Sequence, residues 1–263
     1  MCPKQPSTKP DWRLPRGAPR GVWDYANDEE VAEGYDADLA GNTLFEFDLE
    51  VVRRHVTAGD TLVDLGCGTG RLLIPFAHEG VRCVAVDLSE PMLRVVARKA
   101  ATDNVEIDRI KANIVELGGL RDEAANCAIC MFSTLGMIRG AENRKLAVAH
   151  ARRILKPGGK FILHIHNLWH NVFDPQPWWM LRSCWRSLRH RDEDFGDKTY
   201  DYRGIPNFFL HAFRRREILD LLRSAGFRIA EIHPLDTAHR HALPRPWLLQ
   251  NLRANGWIIV AER

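Results

Sequence analysis

Val63-Asp-Leu-Gly-Cys-Gly-Thr-Gly, residues 63–70, decides how the rest of this chain is read. The stretch closes the apolar run Thr61-Leu-Val-Asp-Leu, sets glycines at 66, 68 and 70, and passes into a helical segment from Arg71 to His78. A strand that ends in alternate glycines and then turns into a helix lets backbone approach whatever sits at the carboxyl edge of a sheet. A dinucleotide site asks for G-x-G-x-x-G with an acid about 20 residues further on. Here the third glycine arrives one residue early, Arg71 comes directly after it, and no glycine follows until Gly80. Asp87 ends the next apolar strand, Val81-Arg-Cys-Val-Ala-Val-Asp, where a carboxylate can accept both hydroxyls of the ribose of any adenosine-bearing cofactor. Asp64, just ahead of the glycines, separates this shape from the dinucleotide one.

Outward from the loop, apolar strands alternate with helices. Asn42 or Thr43 can cap a helix through Phe45, Leu49 and Val52 towards His55. Ser89 can cap another, with Pro91 in its first turn, where a missing N–H costs nothing. Further strands are predicted near 105–110, 127–132, 160–166, 227–232 and 256–261, and helices near 141–155 and 214–225. This alternation predicts an α/β fold, a doubly wound and mostly parallel sheet covered on both faces. Lys156-Pro-Gly-Gly-Lys reads as a stop and turn, with Gly158 taking the positive φ of a type II turn. Residues 168–208 break the rhythm; a connection of that length is a lid, an inserted subdomain or a binding loop.

Five segments in order resemble the class I S-adenosylmethionine-dependent methyltransferases. They are Val63 to Gly70, Val86-Asp-Leu-Ser-Glu-Pro-Met-Leu, Lys111-Ala-Asn-Ile-Val-Glu-Leu, Arg153-Ile-Leu-Lys-Pro-Gly-Gly and Ala225-Gly-Phe-Arg. The resemblance is strong over 42–165 and looser over 210–263. It implies a Rossmann-like seven-stranded sheet with an antiparallel last strand, and S-adenosylmethionine as cofactor. By the same resemblance Asp64 organises the methionine end, Gly66, Cys67 and Gly68 approach it through backbone, Asp87 holds the ribose, and Leu88 and Met92 pack on adenine. Asn113 falls where the family usually has aspartate, accepting from the adenine amino group beside Ile114; Gly70, Ala112, Phe132 and Ser133 complete the expected cofactor set. Ala125-Asn126 departs from the family's usual Phe-Asp.

Methyl transfer is an in-line displacement, and a base is needed only where the acceptor must lose a proton. Of eleven histidines, His164, His166, His170, His211 and His233 fall near the expected mouth. His166, at the carboxyl end of its strand, is the first candidate base, with His211 and Tyr35 as further catalytic candidates. Each has a plainer reading, as a hydrogen-bonded histidine or a helix-anchoring tyrosine. Trp23, Tyr25, Ser133 and Thr134 can meet substrate, and so can Trp178, Trp179 and Trp185 of the insertion. Arg182, Arg186, Arg189 and Arg191 surround Trp185 in a way that can hold phosphates, but Asp192, Glu193 and Asp194 follow and largely cancel them.

Composition narrows the partners. Hydrophobic residues make up 45% and charged residues 27%, as in an ordinary folded chain. No apolar run spans a bilayer and the opening Met-Cys-Pro-Lys-Gln-Pro lacks a secretory core, so a cytoplasmic location without a membrane partner is expected. Of the net charge of +3, residues 1–20 hold five basic side chains against Asp11, which leaves the other 243 residues at −1. With five prolines, residues 1–20 read as a flexible arm, and 21–263 as one domain with 168–208 as its insertion or lid. A near-neutral body argues against nucleic acid as partner and for a small-molecule acceptor; nucleic-acid methylation and non-catalytic cofactor binding are the alternatives. The six cysteines read as reduced. Cys127 and Cys130 lie inside a strand-like run with no second pair, and no metal is expected.

Overall fold

A computed structural model describes residues 9–39, 44–173, 178–189, 193–236 and 242–263. Its strands are β1 (Thr61–Leu65), β2 (Arg82–Asp87), β3 (Ile107–Lys111), β4 (Ala125–Cys130), β5 (Leu155–His166), β6 (Asp197–Tyr202), β7 (Ile205–His211), β8 (Arg228–Leu235) and β9 (Gly256–Glu262). Its helices are α1 (Arg20–Ala26), α2 (Glu29–Leu39), α3 (Leu44–Arg53), α4 (Leu73–His78), α5 (Glu90–Thr102), α6 (Ala141–Ile154), α7 (Trp178–Arg189), α8 (Arg215–Ser224) and α9 (Gln250–Arg253). Seven strands form one sheet in the order β3-β2-β1-β4-β5-β9-β8. β1 to β5 run parallel, and β9 is antiparallel to both of its neighbours. This is the doubly wound, Rossmann-like sheet that the alternation and the resemblance predict.

Residue period explains the two covered faces. Val63, Leu65, Val84 and Val86 point into one core with α6 and α8, while Leu62, Cys83 and Ala85 point into the other with α3, α4 and α5. Cys127 and Cys130, three apart on β4, go to opposite cores and cannot share a metal. Burial raises both thiols, so neither is a thiolate at neutral pH. Among the described residues no group of three metal-ligating side chains comes together. Asn126 has a structural account: its Oδ1 accepts from the Thr61 N–H (3.1 Å) and the Lys156 ammonium (2.9 Å), tying the starts of β1 and β5.

Two expectations change. Lys156-Pro-Gly-Gly does not end the helix and wait for a strand; β5 already begins at Leu155, and a bulge between Ala125 and Cys127 absorbs the turn, with Gly158 at φ +77°. The flexible arm also shrinks: residues 9–20 are ordered on the body. The Arg139 N–H donates to the Gly17 carbonyl (2.9 Å), and Arg16 Nε donates to Asn143 Oδ1 (2.8 Å). Residues 1–8 and the expected caps Asn42 and Thr43 lie outside the described residues, as do Arg191 and Asp192. The insertion contains a short helical turn (Trp169–Phe173), α7, and the β6–β7 hairpin. Tip residue Ile205 packs with Val31 and Ala32 of α2 and with Met92 and Val95 of α5, so the hairpin reaches back over the carboxyl edge of the sheet.

Candidate functional site: a cavity over the glycine loop

β1 delivers Asp64 and β2 delivers Asp87 to the same edge, and the glycine loop crosses between them. Gly66 has φ +86°, and a Cβ there would stand 2.3 Å from the Thr134 methyl, so only glycine lets the loop lie against the end of β4. Gly68 (φ +53°) is different: its open side faces Tyr35, whose ring would be 3.8 Å from an added Cβ. The Gly68 N–H donates to Asp87 Oδ2 and the Ser89 N–H to Asp87 Oδ1, both at 2.8 Å. Asp87 thus pins the loop and still keeps a lone pair on each oxygen. Ser89 Oγ accepts from the Met92 N–H (3.1 Å), capping α5 as expected.

A cavity of about 1060 Å³ opens above this edge. Its floor includes Asp64, Gly66, Cys67, Gly68, Asp87 and Leu88, its sides Met92, Ala112, Asn113, Ile114 and Phe132, and Tyr25 and Tyr35 stand over it. Burial holds Asp64 well above the usual carboxylate range, and the neighbouring Asp87 charge adds to this. Asp87 is also raised by burial, although the Ser89, Gly68 and Leu88 N–H groups pull it down. Asp64 Oδ1 is buried with no hydrogen-bond partner among the described residues. Two adjacent carboxylates, Asp64 buried with an orphaned oxygen and Asp87 half-buried, suit a ligand that brings positive charge to Asp64 and a diol to Asp87.

The structure gathers most of the expected cofactor residues and reassigns several others. Gly70 does not line the cavity; it lies against α5, where an added Cβ would meet Val96 at 3.0 Å. Ser133 is fully buried at φ +59°, with its N–H on the His164 carbonyl (3.0 Å) and its Oγ accepting from the His166 N–H (2.9 Å), so it joins β4 to β5. Asn113 Oδ1 accepts from the Val115 N–H (3.1 Å), while its Nδ2 donates to the Arg16 carbonyl (2.9 Å). An aspartate could not make that second bond. The departure from the family pattern therefore coincides with the docking of the N-terminal segment, whose Arg16, Gly17 and Ala18 line the cavity.

Neither His166 nor His211 lines the cavity. Phe132, which does, packs edge-on against His164 (6.1 Å between ring centres), and His166 packs on His164 in turn (5.6 Å). His211, the last residue of β7, is wholly buried, with Nδ1 2.7 Å from Asp197 and Nε2 2.8 Å from Glu217. Burial pulls its pKa down, but the hydrogen bonds to Asp197 and Glu217 outweigh this and raise it. Both ring nitrogens are engaged, so His211 is an internal ion-pair partner rather than a base. His233 lies 2.8 Å from Glu231, which His55 also faces at 3.2 Å. Trp178 and Trp185 are exposed on α7.

Tyr35 does line the cavity. Burial, with a smaller contribution from Tyr202, pushes its hydroxyl up to about 12 against the pull of Arg71 and Arg203, so at neutral pH it can donate a hydrogen bond but does not take up a proton. Tyr25 is raised for the same reason and packs edge-on against Phe208 (5.2 Å). Sequence reasoning missed Arg16 to Ala18 and also Arg71. The Arg71 guanidinium sits over Phe45 (4.7 Å) and Phe132 (4.9 Å), and its Nε and Nη2 have no hydrogen-bond partner among the described residues. The signal available was the position of Arg71 directly after the last glycine of the loop.

A parallel sheet whose carboxyl edge carries a glycine loop and two adjacent acids under an aromatic roof is a setting for an adenosine-bearing cofactor. Comparison agrees with this: the family described as "Methyltransferase domain" matches residues 62–159, and over that stretch the chain is similar to the class I S-adenosylmethionine-dependent methyltransferases. A putative methyltransferase of Geobacillus sp. is 29% identical over 106 residues, 40% of this chain and 42% of its own length. The chain thus spans about two fifths of that relative. A methyltransferase structure from Methanosarcina mazei superposes with a TM-score of 0.66 at 18% identity, over 81% of this chain and 96% of the other. A Burkholderia thailandensis 1,6-didemethyltoxoflavin-N1-methyltransferase, solved with S-adenosylhomocysteine, does so at 0.61 and 18% identity, over 95% and 92%. Both show likeness of fold. The cofactor of the family is S-adenosylmethionine, and the cavity residues fit it.

Proposed function

We propose that the chain methylates a small-molecule acceptor, and that it does so by alignment and exclusion of water rather than with a dedicated base. The observation that carries this reading is the composition of the cavity wall. It contains two acids placed for a cofactor, two tyrosines held protonated by burial, apolar side chains, and no histidine among the described lining residues.

When bound, S-adenosylmethionine supplies a methyl group on a positively charged sulfur, whose departure leaves a neutral thioether. Asp64 is the residue to hold the ammonium of the methionine end, and Asp87 to hold the ribose hydroxyls. Leu88, Met92 and Ile114 offer apolar surface to the adenine. The segment Arg16 to Ala18 and the tyrosine pair close the cavity and keep water from the reacting atoms. Tyr35 donates to an acceptor heteroatom, and Arg71 offers its guanidinium to a carboxylate. An acceptor that attacks through a neutral nitrogen or an electron-rich carbon can lose its proton to water after transfer, so it needs no base beforehand. Non-catalytic cofactor binding loses one of its two motives, because Asn113 has a structural explanation in the Arg16 carbonyl; the other, a cavity wall without a dedicated base, is answered by catalysis through alignment.

The test has two parts. Calorimetry should show S-adenosylhomocysteine binding without comparable NAD binding. Incubation with methyl-labelled S-adenosylmethionine and a small-metabolite extract should then transfer label to a compound resolved by mass spectrometry. Label found only in nucleic acid would reject the small-molecule reading, and tight NAD binding would reject the cofactor.

A further inference from the structure

Exposed apolar surface is concentrated in an unusual way. Apart from Trp12, every large apolar side chain exposed among the described residues falls in α7 or in residues 247–252. On α7 these are Trp178 (74% exposed), Leu181, Trp185 and Leu188 (82%). Their spacing of three, four and three puts them on one helical face, while Met180 and Ser183 on the other face are buried against the body. In the second segment they are Trp247 (77%), Leu248, Leu249 and Leu252. Ordinary surfaces scatter such residues singly, and a concentration of this kind marks an interaction site.

The two segments hang from one anchor. Asn167, at the end of β5, donates through Nδ2 to the carbonyls of Asn251 and Ala254, both at 2.7 Å. The turn Trp169–Phe173 that leads towards α7 packs against α9. Arg253 donates to the carbonyls of Pro244, Arg245 and Leu248 (3.1–3.3 Å), fixing the shape of the second segment.

Charge points to the partner. Neither 178–189 nor 242–255 contains an acidic residue, whereas Arg182, Arg186 and Arg189 lie on the first and Arg245 and Arg253 on the second. Arg189 stacks on Trp185 (3.9 Å), and Arg186 is paired with Glu193. A second copy docked about a two-fold axis would set Arg182 and Arg189 of one copy against those of the other, with Glu193 already taken up by Arg186. Single-stranded nucleic acid would use the tryptophans and arginines but would leave five leucines with nothing to stack on. A lipid surface uses all three residue types, with leucine in the acyl boundary, tryptophan at headgroup level and arginine on anionic headgroups.

We propose that α7 and residues 247–252 form a peripheral docking surface for a bilayer rich in anionic lipid. This revises the expectation of no membrane partner without invoking insertion: among the described residues no helix is long and apolar enough to cross a membrane. The surface leaves the sheet at Asn167, at the same carboxyl edge that carries the glycine loop, so docking would hold the cavity edge near the lipid.

Flotation of the full chain with phosphatidylcholine vesicles, with and without 30% phosphatidylglycerol, tests it. The expected result is binding to the anionic vesicles, a blue shift of tryptophan emission, and loss on raising salt. Leu181→Glu with Leu188→Glu should lower binding at least tenfold. Arg182→Gln with Arg189→Gln should lower it on the order of tenfold at low salt. S-adenosylhomocysteine binding should be retained in both, which keeps the outcome separate from that of the proposed function. If the leucine variant fails to fold, Trp247→Glu serves in its place, with the same reading. Absence of flotation with anionic vesicles overturns the proposal. So does binding that survives the glutamates, a dimer by light scattering that the glutamates dissolve, or a preference for RNA over vesicles.

Discussion

The floor of the cavity is backbone and short-range. Gly66 to Gly70 lie between two adjacent parallel strands, and the Gly68 and Ser89 N–H groups converge on Asp87 within 2.8 Å. The roof is assembled from parts distant in sequence: residues 16–18, α1 and α2, and a hairpin about 170 residues further on. Its contacts are aromatic edges, such as Tyr25 on Phe208 and on Tyr202 (5.9 Å), and buried charges, with Arg144 on Asp194 (2.6 Å) and His211 between Asp197 and Glu217. A floor fixed by glycines and strand ends can hold a constant ligand. A roof fixed by exchangeable side chains is where acceptor choice can vary without disturbing the cofactor.

The comparison breaks most sharply at His211. His211→Ala should cost about 3 kcal/mol of stability by leaving two half-buried carboxylates without their shared partner, read as a fall in denaturation midpoint. Because folding raises His211 above its ordinary value, its contribution is fully present below the unfolded pKa and is lost as pH rises through the folded one. Glu217 behaves in the opposite sense. Burial raises it, but His211 and the Arg214 N–H outweigh this and lower it, so its contribution is lost as pH falls through its depressed value. Thermal melts of the native chain should therefore peak between these two limits, and the alkaline limb should flatten in the variant. A pH–rate inflection that His211→Ala abolishes, with stability unchanged, would return it to catalysis.

On the floor, Asp87→Ala should weaken S-adenosylhomocysteine binding by about 2–3 kcal/mol, roughly 30- to 150-fold, through the loss of charge-assisted contacts. Asp64 and Asp87 are both raised, so a cationic cofactor should release protons as it binds. Titrations of S-adenosylmethionine in buffers of different ionisation heat should show this, and affinity should rise with pH across the acidic range.

The seam between floor and roof is the Asn113 bond to Arg16. Asn113→Asp should cost about 1–2 kcal/mol in cofactor affinity by setting a carboxylate against a carbonyl, and deletion of residues 1–18 should have a similar effect. Unchanged affinity on deletion would restore the flexible arm. The smallest effect should come from Tyr35→Phe, about 0.5–1.5 kcal/mol expressed in acceptor KM, with the pH profile unmoved.

What the sequence made legible follows the same division. Glycines at alternate positions, an acid at each strand end and a serine cap are local devices with a readable spacing, so the floor could be named down to Met92. Docking of residues 16–18 runs through the carbonyls of Arg16 and Gly17, which every residue carries, so their prolines and charges read as an arm. His166 was placed correctly at its strand end, while the strand that carries His211 was not foreseen; the partners that define the two are Ser133, Asp197 and Glu217, and no spacing shows which side chain a hairpin will bury. Arg71 was seen only as an obstacle to the dinucleotide pattern.

The placement of β9 has a consequence for how the chain is made. This strand is synthesised after both of its neighbours, β5 and β8, yet lies between them, and its residues 257–261 are wholly buried. A ribosome adding ~5–20 residues per second therefore releases β1 to β5 and then β8 with an open slot between two apolar strand edges. Until β9 emerges, the nascent chain presents a ready template for the strands of other chains, and a chaperone that shields this slot should raise the yield of folded protein more than one acting on the finished surface.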